Sequence, residues 1–422
     1  MSTLSDRLRG IIKAPSRADI VPRAAAAFGR PDVDIETLLD GRWHGHCFIV
    51  ERRLAPSARY GKTTIGELAE RLHASAHEAP LVCGGASAKP PFVFFDLETT
   101  GLSGGAGTQA FLVGCAWFED DGGLTTRQYL LARYSDERAM LTAVAEELGR
   151  AGALVSFNGK SFDVPVLETR YLFNRLDWTA AAQPHIDVLH PARRFWKEDE
   201  CSLIALEQQL LGKSRDGDVP GFEIPARYFQ FVRTGDAGPL VAVLEHNRLD
   251  LVSLAALTSR LLEIVSGGPD YADNAREALA LGHVYARAHA DDRALAAYER
   301  AVTLSATSRS QRASLVTADA LRALAVAYRR ARRFDDAARC WTALAESGCS
   351  NTVEREAIEA LAIHHEHRRR DLESARLFAM RNVASARDEV RRGSKETARR
   401  RLARIERKIG EAGRAGELLD ER

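Results

Sequence analysis

The chain has 422 residues, 45% of them hydrophobic and 28% charged, with 59 Lys plus Arg against 58 Asp plus Glu. That composition excludes disordered and collagen-like polypeptides and leaves room for two or three globular domains. A formal net charge of +1 excludes capture of nucleic acid or an anionic membrane by overall attraction, so any polyanion has to be held by a local site.

The six cysteines are scattered without a CxxC pair, which points to a reducing compartment. Met1 to Pro15 carries no apolar signal core, and no stretch approaches the roughly 18 apolar residues of a membrane span. A cytoplasmic location is expected.

Residues 1–90 read as an N-terminal extension and linker, with a strand at His46–Arg52, a helix at Ile65–His73 and a Gly/Ala/Pro-rich connector at Gly84–Pro91. From residue 91 to about 266 strands alternate with helices. Phe92–Asp96, Phe111–Phe118, Thr125–Leu131 and Ala153–Phe157 read as strands, and Asp136–Gly149 as a helix. Three consecutive strands, a helix and a further strand predict a mixed α/β sheet flanked by helices. A long helix is expected from near Asp236 to about Val265, stopped by Gly267, Gly268 and Pro269.

Beyond residue 270 the strand signal ends. Leu281, Gly282, Tyr285, Ala294, Tyr298 and Ala301 share their spacing with Leu324, Ala325, Tyr328, Ala337, Trp341 and Leu344. A weaker third unit holds Leu361, Ala362, His365, Ser374 and Phe378. These small and aromatic positions resemble those of tetratricopeptide helical hairpins, so 270–422 is expected to be an all-α repeat domain with a concave face for a protein partner or another macromolecule, the alternative being a helical cap that only shields the α/β domain.

Three segments carry the chemistry. In FVFFDLETTGL (92–102) an apolar strand ends in Asp96-Leu97-Glu98, and residues two apart on a strand point the same way. Two carboxylates so placed repel unless a divalent cation lies between them. In LVSFNGKSFDVPVL (154–167) a strand leads through Asn158-Gly159-Lys160 to Phe162-Asp163 at the start of a helix; Asp163 there is either a further acidic ligand or an ordinary N-cap. In EHNRLD (245–250) His246 and Asp250 stand four apart and share a helical face, as members of one site or as a surface ion pair. Four carboxylates match the charge of two Mg²⁺ or Mn²⁺ ions roughly 4 Å apart, a centre suited to phosphodiester hydrolysis. Histidine is the side chain suited to taking a proton from water near neutral pH.

FFDLETTGL, NGKSFDVPVL and HNRLD resemble, in order and spacing, the three exo motifs of the DEDD superfamily of 3′-5′ exonucleases, which have a ribonuclease H-like fold. GGAGTQAFLVG (104–114) and HNRLDLVSL resemble more narrowly the bacterial YprB-like ribonuclease H-like proteins, predicted exonucleases with C-terminal tetratricopeptide-type repeats. The resemblance covers about residues 92–262. It implies a metal-dependent nuclease acting on single-stranded 3′ ends of RNA or DNA, with Asp96, Glu98, Asp163 and Asp250 as ligands of two divalent cations and His246 as general base. It further implies that Thr99, Gly101 and Leu102 meet the terminal nucleotide, with Asn158, Lys160 and Phe162 beside the substrate. One departure stands out: the histidine subclass sets its base five residues before the last aspartate, and here the separation is four. The competing reading is a nucleic-acid-binding scaffold whose nuclease fold is idle and whose repeats recruit partners.

Four further features lie outside the three motifs. Asp187 is expected to end a strand near the acids. Arg193-Arg194-Phe195-Trp196-Lys197 interleaves cations with aromatics, which suits a single strand or an amphipathic helix alike. Arg215 and Asp218 lie in RDGDVPGFEIP, a loop whose role the residues do not reveal. From Arg381 to Lys408 there are 11 basic against 4 acidic residues, a nucleic-acid contact or a solvated helical face.

Overall fold

A computed structural model describes residues 35–101, 107–196, 200–306, 311–348, 350–385 and 392–420. Seven strands form one sheet: β1 (Arg42–His44), β2 (Cys47–Leu54), β3 (Phe92–Thr99), β4 (Ala110–Phe118), β5 (Leu124–Leu130), β6 (Ala153–Ser156) and β7 (His185–Asp187). Their order is β1-β2-β5-β4-β3-β6-β7. Pairing is antiparallel from β1 to β3 and parallel from β3 through β6 to β7, so the sheet is mixed as the alternation of elements predicts.

The sheet reaches back to Arg42, well upstream of the compositional change at Pro91. The apolar half of β2, Cys47–Val50, is buried, and Phe48 to Leu54 pair residue by residue with Leu130 to Leu124 of β5. Part of the expected extension therefore completes the sheet. The helix α1 (Ile65–Ser75), opened by a capping box between Thr64 and Glu67, packs with its Ile65, Leu68 and Leu72 on the same body.

The longer helices that follow in this α/β part are α2 (Glu137–Gly149), α3 (Asp163–Phe173), α4 (Leu189–Phe195), α5 (Ile224–Thr234) and α6 (Gly238–Gly267). Helices cover both faces of the sheet, which is why the inner strands β3, β4 and β6 read as nearly continuous apolar runs rather than alternating ones. The long α6 serves both cores. Its first turns bury Leu240, Val243 and Leu244 with α2, α3 and α5, and its later turns bury Leu251 to Val265 with α1 and the opposite face. Pro239 sits in its first turn, and Gly268 closes it with φ 77°.

The C-terminal part is helical among the described residues: α7 (Ala275–Arg287), α8 (Asp291–Ser305), α9 (Gln311–Arg330), α10 (Phe334–Glu346), α11 (Asn351–His364), α12 (Leu372–Ser385) and α13 (Arg392–Asp420). Successive helices pack against one another, and Gly282 allows a close approach between α7 and α8. A Cβ on Gly282 would stand 2.3 Å from the Tyr298 ring. The apolar core runs without a break from the sheet into these helices. Trp196, at the end of α4, is buried, and its indole N–H donates to Glu277 of α7 at 3.0 Å. No described helix is long and apolar enough to cross a membrane.

Candidate active site

Asp96 and Glu98 lie near the end of β3 on one face of the sheet, two residues apart as the strand period requires. A register shift between Glu98 and Thr99 then ends the regular ladder with β4. Across the sheet, Asp96 is opposite Gly114 of β4, and Gly114 is opposite Gln128 of β5.

Asp163 reaches the same place from the neighbouring strand. After β6 the chain turns at Asn158, which takes φ 68°, and passes so close to itself at Gly159 that a Cβ there would lie 2.3 Å from Ser156 Oγ and 2.9 Å from Asp163 Oδ2. Asp187, the last residue of β7, accepts from the backbone N–H of Asn158 at 2.8 Å, Lys160 at 3.1 Å and Leu189 at 3.2 Å. Its carboxylate thus braces the turn. Asp163 is the first residue of α3 rather than its cap. That helix is anchored by the buried Arg170, which donates to Glu137 from Nε and Nη2 at 2.6 Å each, and by Tyr171, whose hydroxyl donates to the Leu141 carbonyl at 2.6 Å.

The third contribution comes from α6. His246 and Asp250 share a face, with His246 Nε2 3.6 Å from Asp250 Oδ2. The next residue, Asn247, turns toward the sheet. Its Nδ2 donates to Asp96 Oδ2 at 2.8 Å, and its Oδ1 accepts from Gln128 at 2.9 Å. It fits because Gly114 beneath has no side chain: a Cβ there would meet Asn247 Oδ1 at 2.2 Å.

Arg215 and Asp218 join the site from the loop before α5. Asp218 lies 2.9 Å from His246 Nδ1 through either oxygen, and Arg215, with a side chain 2% exposed, pairs with Asp250 at 2.7 Å and Glu207 at 2.5 Å. Behind it, Tyr60 donates to Glu207 at 2.5 Å, while Ser253 accepts from Arg215 at 3.1 Å.

Electrostatics ties the acids together. Burial, followed by the charges of Asp250, Glu98 and Asp163, raises the Asp96 pKa well above the ordinary carboxylate range; burial, then Asp250, Asp163 and Asp218, does the same for Glu98. Burial and Asp187 push Asp163 up to about 7. Asp250 is also raised, by burial, against the opposing pull of Arg215 and His246. Four oxygen ligands of this kind suit a hard divalent cation. Among the described residues, however, no three His, Cys, Asp or Glu side chains form a ready metal-holding group: Asp96 is bonded to Asn247 and Asp250 to Arg215.

Of the expected substrate contacts, Thr99 is buried and its hydroxyl donates to the Gly101 carbonyl at 2.9 Å. The Cβ position of Gly101 faces open space. Asn158 and Lys160 are exposed on the braced turn and Phe162 is half-buried before Asp163. Leu102 and Lys197 lie outside the described residues. Phe195 and Trp196 are 1% and 2% exposed, so they are packing residues, and base stacking on them is ruled out. Several cations of the basic C-terminal stretch are used internally, Arg381 on Glu354, Arg401 on Glu359, and Arg404 and Lys408 on Glu366. Asn247 was missed by sequence reasoning, which looked for titrating groups; its only local sign is its place inside HNRLD.

Residues 93–262 match the RNase H superfamily. Over 308 residues, 72% of this chain and 72% of the relative, the sequence is 31% identical to the uncharacterized protein YprB of Bacillus subtilis (strain 168). A family B DNA polymerase from the hyperthermophilic archaeon Pyrobaculum calidifontis aligns over 47% of this chain and 29% of the polymerase, at 16% identity and a TM-score of 0.35, too low to carry an argument. With an RNase H superfamily domain at its centre and a relative matched over most of both lengths, the chain belongs to the YprB family.

Proposed function

We propose that the protein is a metal-dependent nuclease that removes nucleotides from the 3′ end of a single strand. The observation that carries this reading is the meeting of Asp96, Glu98, Asp163 and Asp250, from one strand end and two helices, closely enough that Asp250 and Asp163 raise the proton affinity of both Asp96 and Glu98. A cluster of buried like charges is unfavourable for the fold alone, and such clusters are a mark of functional sites. RNase H superfamily domains generally act as nucleases with divalent metals, which supports the same reading.

On this reading the four carboxylates hold two divalent cations, Mg²⁺ or Mn²⁺. Held by these four carboxylates, such cations would supply Lewis-acid activation of the attacking water and charge stabilisation at the leaving oxygen. The chain's own work is positional and protonic. Asp218 accepts from His246 Nδ1 and so leaves Nε2, on the Asp250 side, free to take a proton from water. Asn247 keeps one oxygen of Asp96 engaged and leaves the other for a ligand. The hairpins from α7 to α12 are read as tetratricopeptide-like repeats, a domain of residues 270–422 beside a nuclease domain of 91–266 whose sheet is completed by β1 and β2.

A second reading has one observation in its favour. The ion pair between Arg215 and Asp250 satisfies an acid that the nuclease reading assigns to a cation, as an idle site in a nucleic-acid-binding scaffold would. A denaturing-gel time course on 5′-labelled single-stranded RNA and DNA decides, with Mg²⁺, Mn²⁺ or EDTA and with Asp163→Asn as control. A metal-dependent ladder shortening from the 3′ end, absent in the variant, supports the nuclease. Binding without cleavage supports the scaffold.

A further inference from the structure

We propose that the loop Lys213–Phe222, with Ile204, is the seat of one nucleotide of the strand, Phe222 stacking on its base and Lys213 meeting a phosphate. The proposal rests on the nuclease reading and says where the strand lies beyond the acids.

A cavity of about 200 Å³ opens between Ile204 and Gln208 on one side and Lys213, Arg215, Asp218 and Gly221 on the other. Arg215 and Asp218 are the partners of Asp250 and His246, so this cavity shares a wall with the acidic site. It is smaller than the roughly 300–1,000 Å³ of a self-sufficient small-molecule pocket. That size suits one unit of a longer ligand that continues past the cavity.

The wall is built to stay in place. Arg215 is buried and held by Glu207 and Ser253, and Val219 is 3% exposed. Two side chains beside this wall have the opposite character. Phe222 follows Gly221 directly, in a turn closed by Glu223 N–H donating to the Pro220 carbonyl at 2.8 Å, and it is 81% exposed. Ile204 across the cavity is 44% exposed. One exposed aromatic is ordinary. An exposed aromatic next in the chain to the lining residue Gly221, an exposed aliphatic in the lining, and a lining lysine that has no carboxylate partner among the described residues make the combination of stacking surface and cation that single strands use.

The test is fluorescence anisotropy of a labelled single-stranded 12-mer on full-length Asp163→Asn protein, alone and with Phe222→Ala, Phe222→Trp, Lys213→Ala or Phe173→Ala added. Phe173 is the control, 66% exposed at the far end of α3. Phe222→Ala is expected to weaken binding roughly five- to a hundredfold, the worth of one stacked base, and Phe222→Trp to restore it. Lys213→Ala is expected to flatten the dependence of log affinity on log salt by about 0.7. Phe173→Ala should match the parent.

Equal affinity of Phe222→Ala and the parent overturns the proposal, and if the wild type still cleaves, the nuclease reading survives it. Loss of binding in Phe222→Ala, in a protein whose wild type cleaves neither RNA nor DNA, keeps the seat and overturns the nuclease. A parent that binds no single strand overturns both.

Discussion

Replacing Gly114 by alanine tests how the helix carrying His246 and Asp250 is set on the sheet. The new methyl would lie 2.2 Å from Asn247 Oδ1 and 2.8 Å from Leu251 Cδ1, both on α6, so Asn247 must rotate or the helix must lift. Either movement strains the bond from Gln128 to Asn247 and the bond from Asn247 to Asp96. Losing a neutral hydrogen bond costs about 1 kcal/mol and one to a charged acceptor about 1.5–3 kcal/mol, while overpacking a core costs about 1–3 kcal/mol. These terms overlap, because a rotated Asn247 relieves the overlap, so roughly 3 kcal/mol is the expected loss. Urea denaturation followed by tryptophan fluorescence measures it, with cleavage assayed on the same preparation. Cleavage is expected to fall at least tenfold, since Asp96, His246 and Asp250 all depend on that contact. A variant within about 0.5 kcal/mol of wild type and fully active would refute the account of Asn247 as the pin between α6 and β3.

Three further outcomes follow from the charges. Asp163 has its pKa raised to about 7, so the folded, cation-free protein binds its proton more tightly than the unfolded chain. Stability from this group is present below the unfolded carboxylate pKa and is lost as pH rises toward 7. Asp163→Asn should therefore abolish cleavage yet gain stability over wild type, and gain more at pH 8 than at pH 5 in EDTA; an equal gain at both would contradict the assignment. Millimolar Mn²⁺ should raise the melting temperature of wild type, by the equivalent of about 2.7 kcal/mol at a hundred times the dissociation constant, and should do so much less in Asp96→Asn. At Glu366 burial opposes ionisation, but Arg404 and Lys408 of α13 outweigh it and hold the pKa down at about 2. That stability is present above the unfolded pKa and lost as pH falls toward 2. With both cations more than a third exposed, Glu366→Gln should cost roughly 1 kcal/mol and speed hydrogen exchange in α13, with no change in the exchange of α6.

What could be read from the chain was whatever a local period encodes. The two-residue alternation of a strand puts Asp96 and Glu98 on one side, the helical repeat puts His246 and Asp250 on one face, and the glycines after Val265 end α6. The shared spacing of Leu281–Ala301 and Leu324–Leu344 pointed to helices in this part, and both segments fall on helices, α7 with α8 and α9 with α10. Contacts that join distant segments left no such period. The pairing of β2 with β5 links residues 70 or more positions apart, so the first strands looked like an extension. Asp218 meets His246 across 28 positions from an irregular loop, where neither hydrophobic rhythm nor cap chemistry marks a residue as part of a site. Asn247 is adjacent to His246 but points about 100° away around the helix, and its importance appears only once Gly114 is seen beneath it.

The same geometry explains how this acidic cluster can fold at all. Asp96 has a hydrogen-bond donor in Asn247, Asp250 has a cation in Arg215, and the raised pKa of Asp163 lets it carry a proton at neutral pH and below. Three of the four acids thus have a separate way of lowering their charge or sharing it, and all three are supplied by the chain. On the nuclease reading a divalent cation has to compete with them. It must displace the proton of Asp163 and draw Asp250 from Arg215, which Glu207 and Asp218 stand ready to keep satisfied. Cation affinity should therefore rise with pH as Asp163 ionises, and Arg215 is placed to release Asp250 without becoming an unpaired buried charge. This arrangement lets the protein fold before it binds an ion, and it makes Arg215 the group whose partner exchange would accompany activation.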